Sequence, residues 1–378
     1  MRKDQPCRLV VFGDVLERVA SSGESRQVYG VYREAEDLIQ ALTDEADVCS
    51  GFRPVGYVTN EADAARGAGG IAITATGRSF RLELERDLPP PAEVEVLAGT
   101  EGIDERRKGL IAGGSLAAKS VVMVGAGSLG SAIALQLAQA GVGRITVLDF
   151  DRLDTPNLSR HACDLSDLGR SKALALAERL RLRGVQASGR ECDVTEESPE
   201  ALRDLFRSSS LIVSTVDVPS ASFTVNELVV EAGTPALFAG AYEGAAGAEI
   251  IPVRPAGPCL FCAVGFRAGL APDLGPNERR RAYQSADAER MVAEPGLGID
   301  INYIASVAAA HALAILDPDG SRADLLAGDG FTLIHGPSRP HDGLAELFAK
   351  PLETIRARVT RDESCPVCGY CTKKEGVS

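Results

Sequence analysis

Residues 121–130 read VVMVGAGSLG, a pattern that predicts how the surrounding chain folds. Its first four residues form an apolar run typical of a buried strand, and the glycines that follow have the spacing G-x-G-x-x-G. Glycines at this spacing allow a tight turn from strand to helix and let backbone N–H groups approach a phosphate. We therefore expect a nucleotide phosphate to bind the loop at Gly125, Gly127, Ser128 and Gly130.

The flanking sequence extends this motif into a layered fold. A helix is predicted from about Leu129 to Ala140 and a second buried strand at 144–148, which completes a strand–helix–strand unit and implies a parallel sheet. Later elements predicted for the same sheet are helices at 171–183 and 220–232 and strands at 211–214 and 235–238. The predicted fold class is α/β, with a Rossmann-like, mostly parallel sheet and flanking helices, preceded by a small α/β or α+β N-terminal domain.

Polar residues follow the second strand in an order that suits a triphosphate. Asp149 ends that strand, where a carboxylate can accept hydrogen bonds from ribose hydroxyls. Four further polar residues come next along the chain: Asp151, Asn157, Arg160 and Lys172. An arginine fork and a compact lysine charge can surround phosphates. Each residue could instead lie on a solvated helix face, but their order favours ATP over a nicotinamide dinucleotide, whose pyrophosphate needs no such cluster.

Asp217 follows the predicted strand at 211–214. Ligands bind at the carboxyl ends of parallel strands in open α/β sheets, and a carboxylate there can hold Mg²⁺ against ATP phosphates. The competing interpretation is a helix N-cap, because Val218 and Pro219 begin a predicted helix. The neighbouring motifs favour the magnesium role.

Two C-x-x-C pairs predict a metal site. They consist of Cys259 with Cys262 and of Cys365 with Cys368. Each pair presents two thiolates at the spacing of a zinc knuckle, and two pairs complete a Cys₄ Zn²⁺ site without an open coordination position. Redox dithiols or a coincidental spacing are the alternatives. Zinc here would have a structural role, because it would tie the C-terminal tail to the domain.

Residues 1–87 are predicted to form an accessory domain, and residues 88–103 a linker. Strands are expected at 9–12, 71–75 and 79–84, whereas residues 34–43 have the apolar spacing of a helix. The linker prediction rests on three consecutive prolines at 89–91, which have a fixed φ and no N–H donor.

Composition excludes several classes of protein. The formal net charge of −13 argues against nucleic acid as the main partner, because binding to its backbone needs a basic surface. No uninterrupted apolar run reaches the roughly 18 residues of a membrane span, and the N-terminus does not have the pattern of a signal peptide. A cytoplasmic protein without membrane contact is predicted. In such a protein we expect the nine cysteines to be metal ligands, catalytic groups or buried thiols rather than disulfides.

From about residue 104 to 378 the sequence resembles the MoeB/ThiF/HesA group of ubiquitin-activating-enzyme-like adenylyltransferases. The resemblance is carried by VVMVGAGSLGSAIALQLAQAGVGRITVLDFD (121–151), NLSRH (157–161), SK (171–172), STVD (214–217) and the two cysteine pairs. It implies an adenylation domain over residues 104–378 that uses ATP to adenylate the C-terminal carboxylate of a small ubiquitin-like or sulfur-carrier protein and releases pyrophosphate. It also implies a homodimer.

The resemblance assigns roles to individual residues. Asp149 would hold the ATP ribose, and Asp151 would lie beside the nucleotide. Asn157, Arg160 and Lys172 would contact the phosphates.

Further implied roles concern metals and the partner subunit. Asp217 would position Mg²⁺ and completes the predicted catalytic set with Arg160 and Lys172, while the four cysteines would bind structural Zn²⁺. An arginine just upstream of the first strand would reach the ATP of the partner subunit. Arg106 and Arg107 lie there, and the resemblance does not choose between them.

Besides a mild change in the glycine loop, Ser128 where glycine is common, three positions depart from the residues usual in this group. His161 stands in place of glutamine, Val218 in place of asparagine and Ser222 in place of arginine. The last change removes a cation, so either the substrate differs or another arginine compensates. No cysteine lies between Cys262 and Cys365, the stretch in which relatives that form a thioester or persulfide carry one, so the resemblance implies an enzyme that only adenylates.

Alternative functions stay open at this point. The three departures would suit adenylation of a ribosomally made precursor peptide in natural-product biosynthesis. A non-catalytic partner that binds a ubiquitin-like protein is a second alternative, and a dehydrogenase ranks last. Residues 8–17 and 28–31 faintly resemble the start of a JAB-type deubiquitinase domain, but no histidine precedes His161, so the zinc site of that domain cannot form.

Overall fold

The computed structural model describes residues 7–44, 51–60, 70–98, 105–107, 109–111, 116–263, 296–326, 330–335 and 350–369. The chain divides into two compact units, Met1–Lys108 and Gly109–Ser378. Each unit is built around its own β-sheet.

In its described residues, the first unit contains a seven-stranded sheet and one α-helix. Its strands are β1 (Arg8–Phe12), β2 (Arg26–Arg33), β3 (Leu38–Thr43), β4 (Arg53–Asn60), β5 (Ile71–Ala75), β6 (Arg78–Leu84) and β7 (Glu93–Leu97), in the spatial order β5-β6-β4-β2-β3-β1-β7. Strand β1 is parallel to β3 and β7, and the other described pairs are antiparallel. Helix α1 (Gly13–Ser22) adds Val15, Leu16 and Val19 to the core of this unit.

The prediction of a helix over residues 34–43 is wrong. Residues 34–36 form a single 3₁₀ turn, Asp37 has a left-handed φ of 48°, and β3 follows. The buried residues of β3 alternate with more exposed ones, which is the period of a strand; they are Ile39, Ala41 and Thr43. Pairing with β1 on one side and β2 on the other satisfies the backbone of β3 and outweighs the local helical spacing.

The segment after the prolines differs from the predicted linker over residues 88–103. Residues 93–97 form β7, which pairs in parallel with β1 from Arg8 to Phe12. The sheet of the first unit therefore continues beyond Pro89–Pro91. The three prolines precede the edge strand β7, so their missing N–H groups remove no hydrogen bond between β7 and β1.

The second unit contains an eight-stranded sheet. Its strands are β8 (Ser120–Val124), β9 (Arg144–Asp149), β10 (Gln186–Glu191), β11 (Leu211–Ser214), β12 (Ala236–Ala241), β13 (Gly247–Val253), β14 (Gly330–His335) and β15 (Thr354–Arg358), in the spatial order β10-β9-β8-β11-β12-β13-β14-β15. The first five strands in that order are parallel, and β13, β14 and β15 extend the sheet in antiparallel pairs. The strand order reverses between β8 and β11, which makes this point the crevice where ligands bind in such sheets.

Helices cover both faces of the parallel part. They are α2 (Ser128–Ala140), α3 (Lys172–Arg181) and α6 (Gly298–Leu316) on one face and α4 (Pro199–Arg207) and α5 (Pro219–Ala232) on the other. In β8, Val121 and Met123 belong to the first core, whereas Val122 and Val124 belong to the second. The uninterrupted apolar run of β8 follows from burial on both faces. The predicted α/β fold class is confirmed.

Among the described residues, α6 is the one helix with the length and composition to cross a membrane. Its buried residues, which include Ile301, Ile304 and Ala308, pack in the same core as α2 and β8. Packing inside the second unit accounts for the apolar character of this helix.

Candidate nucleotide site and metal centre

The glycine loop joins β8 to α2 at the point where the strand order reverses. Gly125 has a φ of +94°, and a Cβ at Gly130 would lie 2.1 Å from the carbonyl oxygen of Gly125. Both positions therefore need glycine for the turn and for close packing. A Cβ at Gly127, in contrast, would meet no atom within 4 Å. The open space at Gly127 lies at the N-terminus of α2, where backbone N–H groups can bind a phosphate.

Thr215 ties the loop to the end of the neighbouring strand β11. Its N–H donates to the carbonyl oxygen of Val124 at 2.8 Å, and its hydroxyl donates to that of Gly125 at 3.0 Å. Thr215 belongs to the STVD motif, but no role for it could be predicted from the sequence, because its contact joins parts of the chain that only the sheet brings together. Asp217 follows two residues later at the same edge of the sheet.

Asp149 holds the loop from the adjacent strand β9. Its Oδ2 accepts from the N–H of Ala126 at 2.6 Å, and its Oδ1 accepts from the N–H of Asp151 at 2.7 Å. Burial raises the pKa of Asp149, and these two N–H groups and the charge of Lys172 oppose that rise. The residue predicted to hold the ribose thus also shapes the loop, and each carboxylate oxygen keeps a second lone pair for a ligand.

His161 holds the other backbone polar group of the same residue, Ala126. Its Nδ1 lies 3.0 Å from the backbone nitrogen of Cys163, which can only donate, so Nε2 carries the proton and donates to the carbonyl oxygen of Ala126 at 2.6 Å. Burial is the main cause of a lowered pKa of His161. The sequence marked His161 only as a departure from glutamine, and the structure shows a neutral imidazole that supports the loop.

Lys172 opens α3 and forms an ion pair with Asp151. Its Nζ lies 2.8 Å from Asp151 Oδ2, and the lysine side chain is 10% exposed while that of the aspartate is 50% exposed. The positive charge of Lys172 acts to lower the pKa of both Asp149 and His161. The structure therefore brings Asp149, Asp151 and Lys172 together beside the glycine loop. The ammonium group of Lys172 belongs to a largely buried side chain, whereas its partner Asp151 is exposed to solvent.

Asn157 and Arg160 belong to the segment between β9 and α3. Asn157 Oδ1 accepts from the N–H of Asp154 at 3.0 Å, which closes a capping box around the 3₁₀ turn Thr155–Ser159. Arg160 lines a cavity of about 380 Å³ together with Gln136, Asn302 and other residues of α2 and α6. His161 makes the hydrogen bond that joins this segment to the glycine loop, whereas Arg160 lines a cavity between α2 and α6 that contains no residue of the loop.

Asp217 is exposed at the carboxyl end of β11. The residue that caps α5 is Val218, and it makes no side-chain capping hydrogen bond. Within the described part of the chain Asp217 has neither a hydrogen bond nor an ion pair, so the structure does not support the N-cap interpretation. Its carboxylate remains available to a cation beside the glycine loop.

The four cysteines converge in the core on the α5 side of the sheet, where all four are buried. Their Sγ atoms are separated by 4.0 Å for Cys259–Cys262, 3.7 Å for Cys259–Cys365 and 3.5 Å for Cys262–Cys368. Zn–S bonds of about 2.3 Å in a tetrahedron would place the sulfurs about 3.8 Å apart. The donor set and its spacing therefore fit zinc.

A comparison with family models decides the family. The model described as the ThiF family matches residues 112–340, which contain the glycine loop, Asp149, Lys172 and Asp217. The chain belongs to the ThiF family. This confirms the resemblance inferred from the motifs.

Two relatives of this ThiF-family chain extend the comparison. It is 34% identical over 192 residues to the sulfur carrier protein ThiS adenylyltransferase of Bacillus subtilis, a match that covers 50% of each chain. It is 30% identical over 256 residues to the sulfur carrier protein adenylyltransferase of Thermus thermophilus, which covers 66% of this chain and 82% of that protein. The ThiF-family chain thus spans only half the length of the first relative.

Solved structures agree with the fold of this ThiF-family chain. The crystal structure of E. coli MccB with MccA-N7isoASN superposes with a TM-score of 0.52 and 18% sequence identity, and it covers 71% of this chain and 70% of that chain. At this low identity the likeness concerns the fold alone.

Proposed function

We propose that this ThiF-family chain uses ATP to adenylate the C-terminal carboxylate of a small ubiquitin-like or sulfur-carrier protein, with release of pyrophosphate. One observation carries the proposal: the open approach at Gly127, the shielded ammonium of Lys172 and the unpartnered carboxylate of Asp217 lie at the carboxyl ends of adjacent strands. Membership of the ThiF family and the sulfur carrier adenylyltransferases among its relatives support the same reaction.

The reaction needs no nucleophile from the enzyme. A carboxylate oxygen of the incoming C-terminus attacks the α-phosphorus of ATP, the bond from that phosphorus to the bridging oxygen of the β-phosphate breaks, and pyrophosphate leaves. No proton changes place, so catalysis consists of positioning the two anions and neutralising charge on the phosphates.

The chain's own residues divide this work. Backbone N–H groups at Gly127 and Ser128 receive phosphate oxygens, and Asp149 receives ribose hydroxyls with the lone pairs that the loop does not use. Asn157 and Arg160 contact phosphates from the segment beside the loop. A Mg²⁺ ion held by Asp217 would supply further neutralisation of the phosphates.

Lys172 is the cation best prepared for this task. Its side chain is largely buried, and its ion pair with Asp151 holds the ammonium in place before a nucleotide arrives. Desolvated charges act more strongly on a neighbouring phosphate than solvated ones do. Asp151 therefore positions Lys172 as well as lying beside the nucleotide.

The remaining parts of the proposal concern the wider protein. Zn²⁺ at the four cysteines is structural, the active protein is a cytoplasmic homodimer, and neither nucleic acid nor a membrane is a partner. Arg106 or Arg107 reaching the partner's ATP stays a prediction, as does the accessory role of residues 1–87.

The test is ATP–pyrophosphate exchange that depends on an added small β-grasp protein ending in Gly-Gly. We expect Lys172→Ala and Asp217→Ala each to lower the exchange rate by roughly 10²- to 10³-fold, because each removes charge stabilisation of the reacting phosphates. Asp204→Ala is the control, because it removes an exposed carboxylate of α4 and should leave exchange unchanged. Retained exchange in both site variants, with folding verified by circular dichroism, would refute the assignment.

A precursor peptide is the second candidate substrate. Val218, 51% exposed, and Ser222 give the start of α5 an uncharged surface next to Asp217, where the group usually has asparagine and arginine. The same exchange assay with short peptides distinguishes the two. Exchange supported by a peptide with a free C-terminus, abolished by amidation and absent with Gly-Gly carrier proteins, would favour the peptide.

A further inference from the structure

Asn226 is a fully buried polar residue in the middle of α5. Its Oδ1 accepts from the backbone N–H of Leu260 at 2.9 Å, and Leu260 lies inside the first cysteine pair. Its Nδ2 is buried as well, but within the described residues it has no partner at normal hydrogen-bond geometry. Buried amide donors without an acceptor are rare because they are costly, so this one needs an explanation.

The donor side of this amide lies against the first cysteine pair. Oδ1 and Nδ2 are bonded to the same carbon, so the 2.9 Å contact of Oδ1 with the Leu260 N–H places Nδ2 close to Cys259, the residue that precedes Leu260. A neutral thiol is a weak acceptor, whereas a metal-bound thiolate carries negative charge and accepts strongly. The orphaned Nδ2 donor therefore has a natural acceptor once Cys259 is a metal ligand.

A second contact joins the same helix to the same cysteine pair. The rings of Phe223 and Phe261 are 5.8 Å apart between centroids and tilted by 57°. Phe223 precedes Asn226 by three positions, so both side chains lie on one face of α5. Phe261 follows Leu260 directly, so α5 meets the knuckle at two adjacent points and Asn226 is held in place beside Cys259.

We propose that Asn226 is a positioning residue of the metal centre: its Nδ2–H donates to the Cys259 thiolate when that thiolate binds Zn²⁺, while its Oδ1 keeps the Leu260 N–H. Four thiolates around one Zn²⁺ leave two negative charges in a buried site, and a donated N–H stabilises part of that charge. Groups that hydrogen-bond to metal ligands orient them and tune their affinity for the metal. This role is independent of the proposed reaction with ATP.

The decisive variant is Asn226→Asp, which keeps the shape and the acceptor for Leu260 but replaces the donor with a negative oxygen. We expect Zn²⁺ affinity, measured by competition with a chromophoric chelator, to fall about 10- to 100-fold. In Co²⁺-substituted protein the thiolate-to-cobalt absorption band should move to lower energy, because Cys259 loses a stabilising donor. Glu227→Gln, at an exposed position on the same helix, should change neither reading.

A measurement on the unaltered protein covers the case in which Asn226→Asp does not fold. The chain has five asparagines, so selective ¹⁵N-asparagine labelling gives a simple spectrum of side-chain amides. On titration with Zn²⁺ one amide should shift downfield and saturate at one equivalent. The proposal is overturned if no asparagine amide responds to zinc, if the cluster binds no zinc, or if folded Asn226→Asp keeps the zinc affinity and cobalt spectrum of the parent protein.

Discussion

The glycine-loop site and the cysteine cluster belong to the same unit, but they are built in opposite ways. The loop site comes mostly from one continuous stretch, residues 125–172, and its geometry is maintained by hydrogen bonds to the main chain. The cysteine cluster joins buried side chains that are 106 residues apart in sequence. A change in the loop should therefore damage chemistry while the fold survives, whereas a change in the cluster should damage the fold itself.

The largest expected effect comes from breaking the cluster. We expect the double change Cys365→Ser and Cys368→Ser to lower the Tm of the second unit by roughly 10 °C, because it releases a cross-link that closes a loop of about 100 residues. Differential scanning calorimetry with and without a zinc chelator measures this. The chelator should lower the parent Tm to that of the variant and leave the variant unchanged.

Cys7→Ser is the matched control, because Cys7 lies in the first unit and outside the cluster. Its Tm and its response to the chelator should equal those of the parent protein. A parent Tm that does not respond to the chelator would contradict a stabilising metal.

Substitutions at two glycines of the loop distinguish an effect on ATP binding from an effect on stability. Gly127→Ala should fold with an unchanged Tm, because the new methyl group meets no protein atom, but it should weaken ATP binding at least about 10-fold by occupying the phosphate approach. Gly130→Ala should also destabilise the protein, by about 1–3 kcal/mol, because its Cβ would collide with the carbonyl oxygen of Gly125. Calorimetric titration with ATP and thermal melting distinguish the two variants. Normal ATP binding by Gly127→Ala would show that this loop does not bind the phosphates.

The smallest expected effect is a pH dependence due to His161. Because burial lowers its folded pKa below that of the unfolded chain, its contribution to stability is complete above about pH 6.5 and is lost as the pH falls toward the folded pKa. Urea unfolding between about pH 7.5 and 5.5 should therefore show a shallower decline for His161→Gln, whose amide can still donate to Ala126. His311, also buried with a lowered pKa, contributes equally to both proteins. Parallel stability curves would show that His161 is not held neutral.

Local patterns predicted the parts of the fold that local contacts determine. The unit β8–α2–β9 could be recognised because the strand, the glycine turn and the helix are contiguous. The interpretation of residues 34–43 failed because Ile39 and Ala41 are buried by pairing with two other strands, which no short window contains. Strands β14 and β15 were not predicted, because they extend the sheet in antiparallel pairs far from the glycine motif.

The same distinction applies to the sites. The cysteine pairs could be found because each pair is local, and the structure brings all four together. Lys172 was recognised from its motif, but its ion pair with Asp151 depends on how α3 follows the loop. Neither the support of Ala126 by His161 nor the buried amide of Asn226 could be predicted, because each depends on a contact between residues more than 30 positions apart in sequence.

Ala126 is held at its N–H by Asp149 and at its carbonyl oxygen by His161, and fixing these two consecutive peptide groups affects binding as well as shape. A flexible loop would lose conformational entropy each time it closed around a phosphate. Here that freedom is already lost when the protein folds, so a nucleotide meets a loop that needs no further ordering. A rigid loop of this kind selects its anion by fit, because it cannot widen to accommodate a larger group.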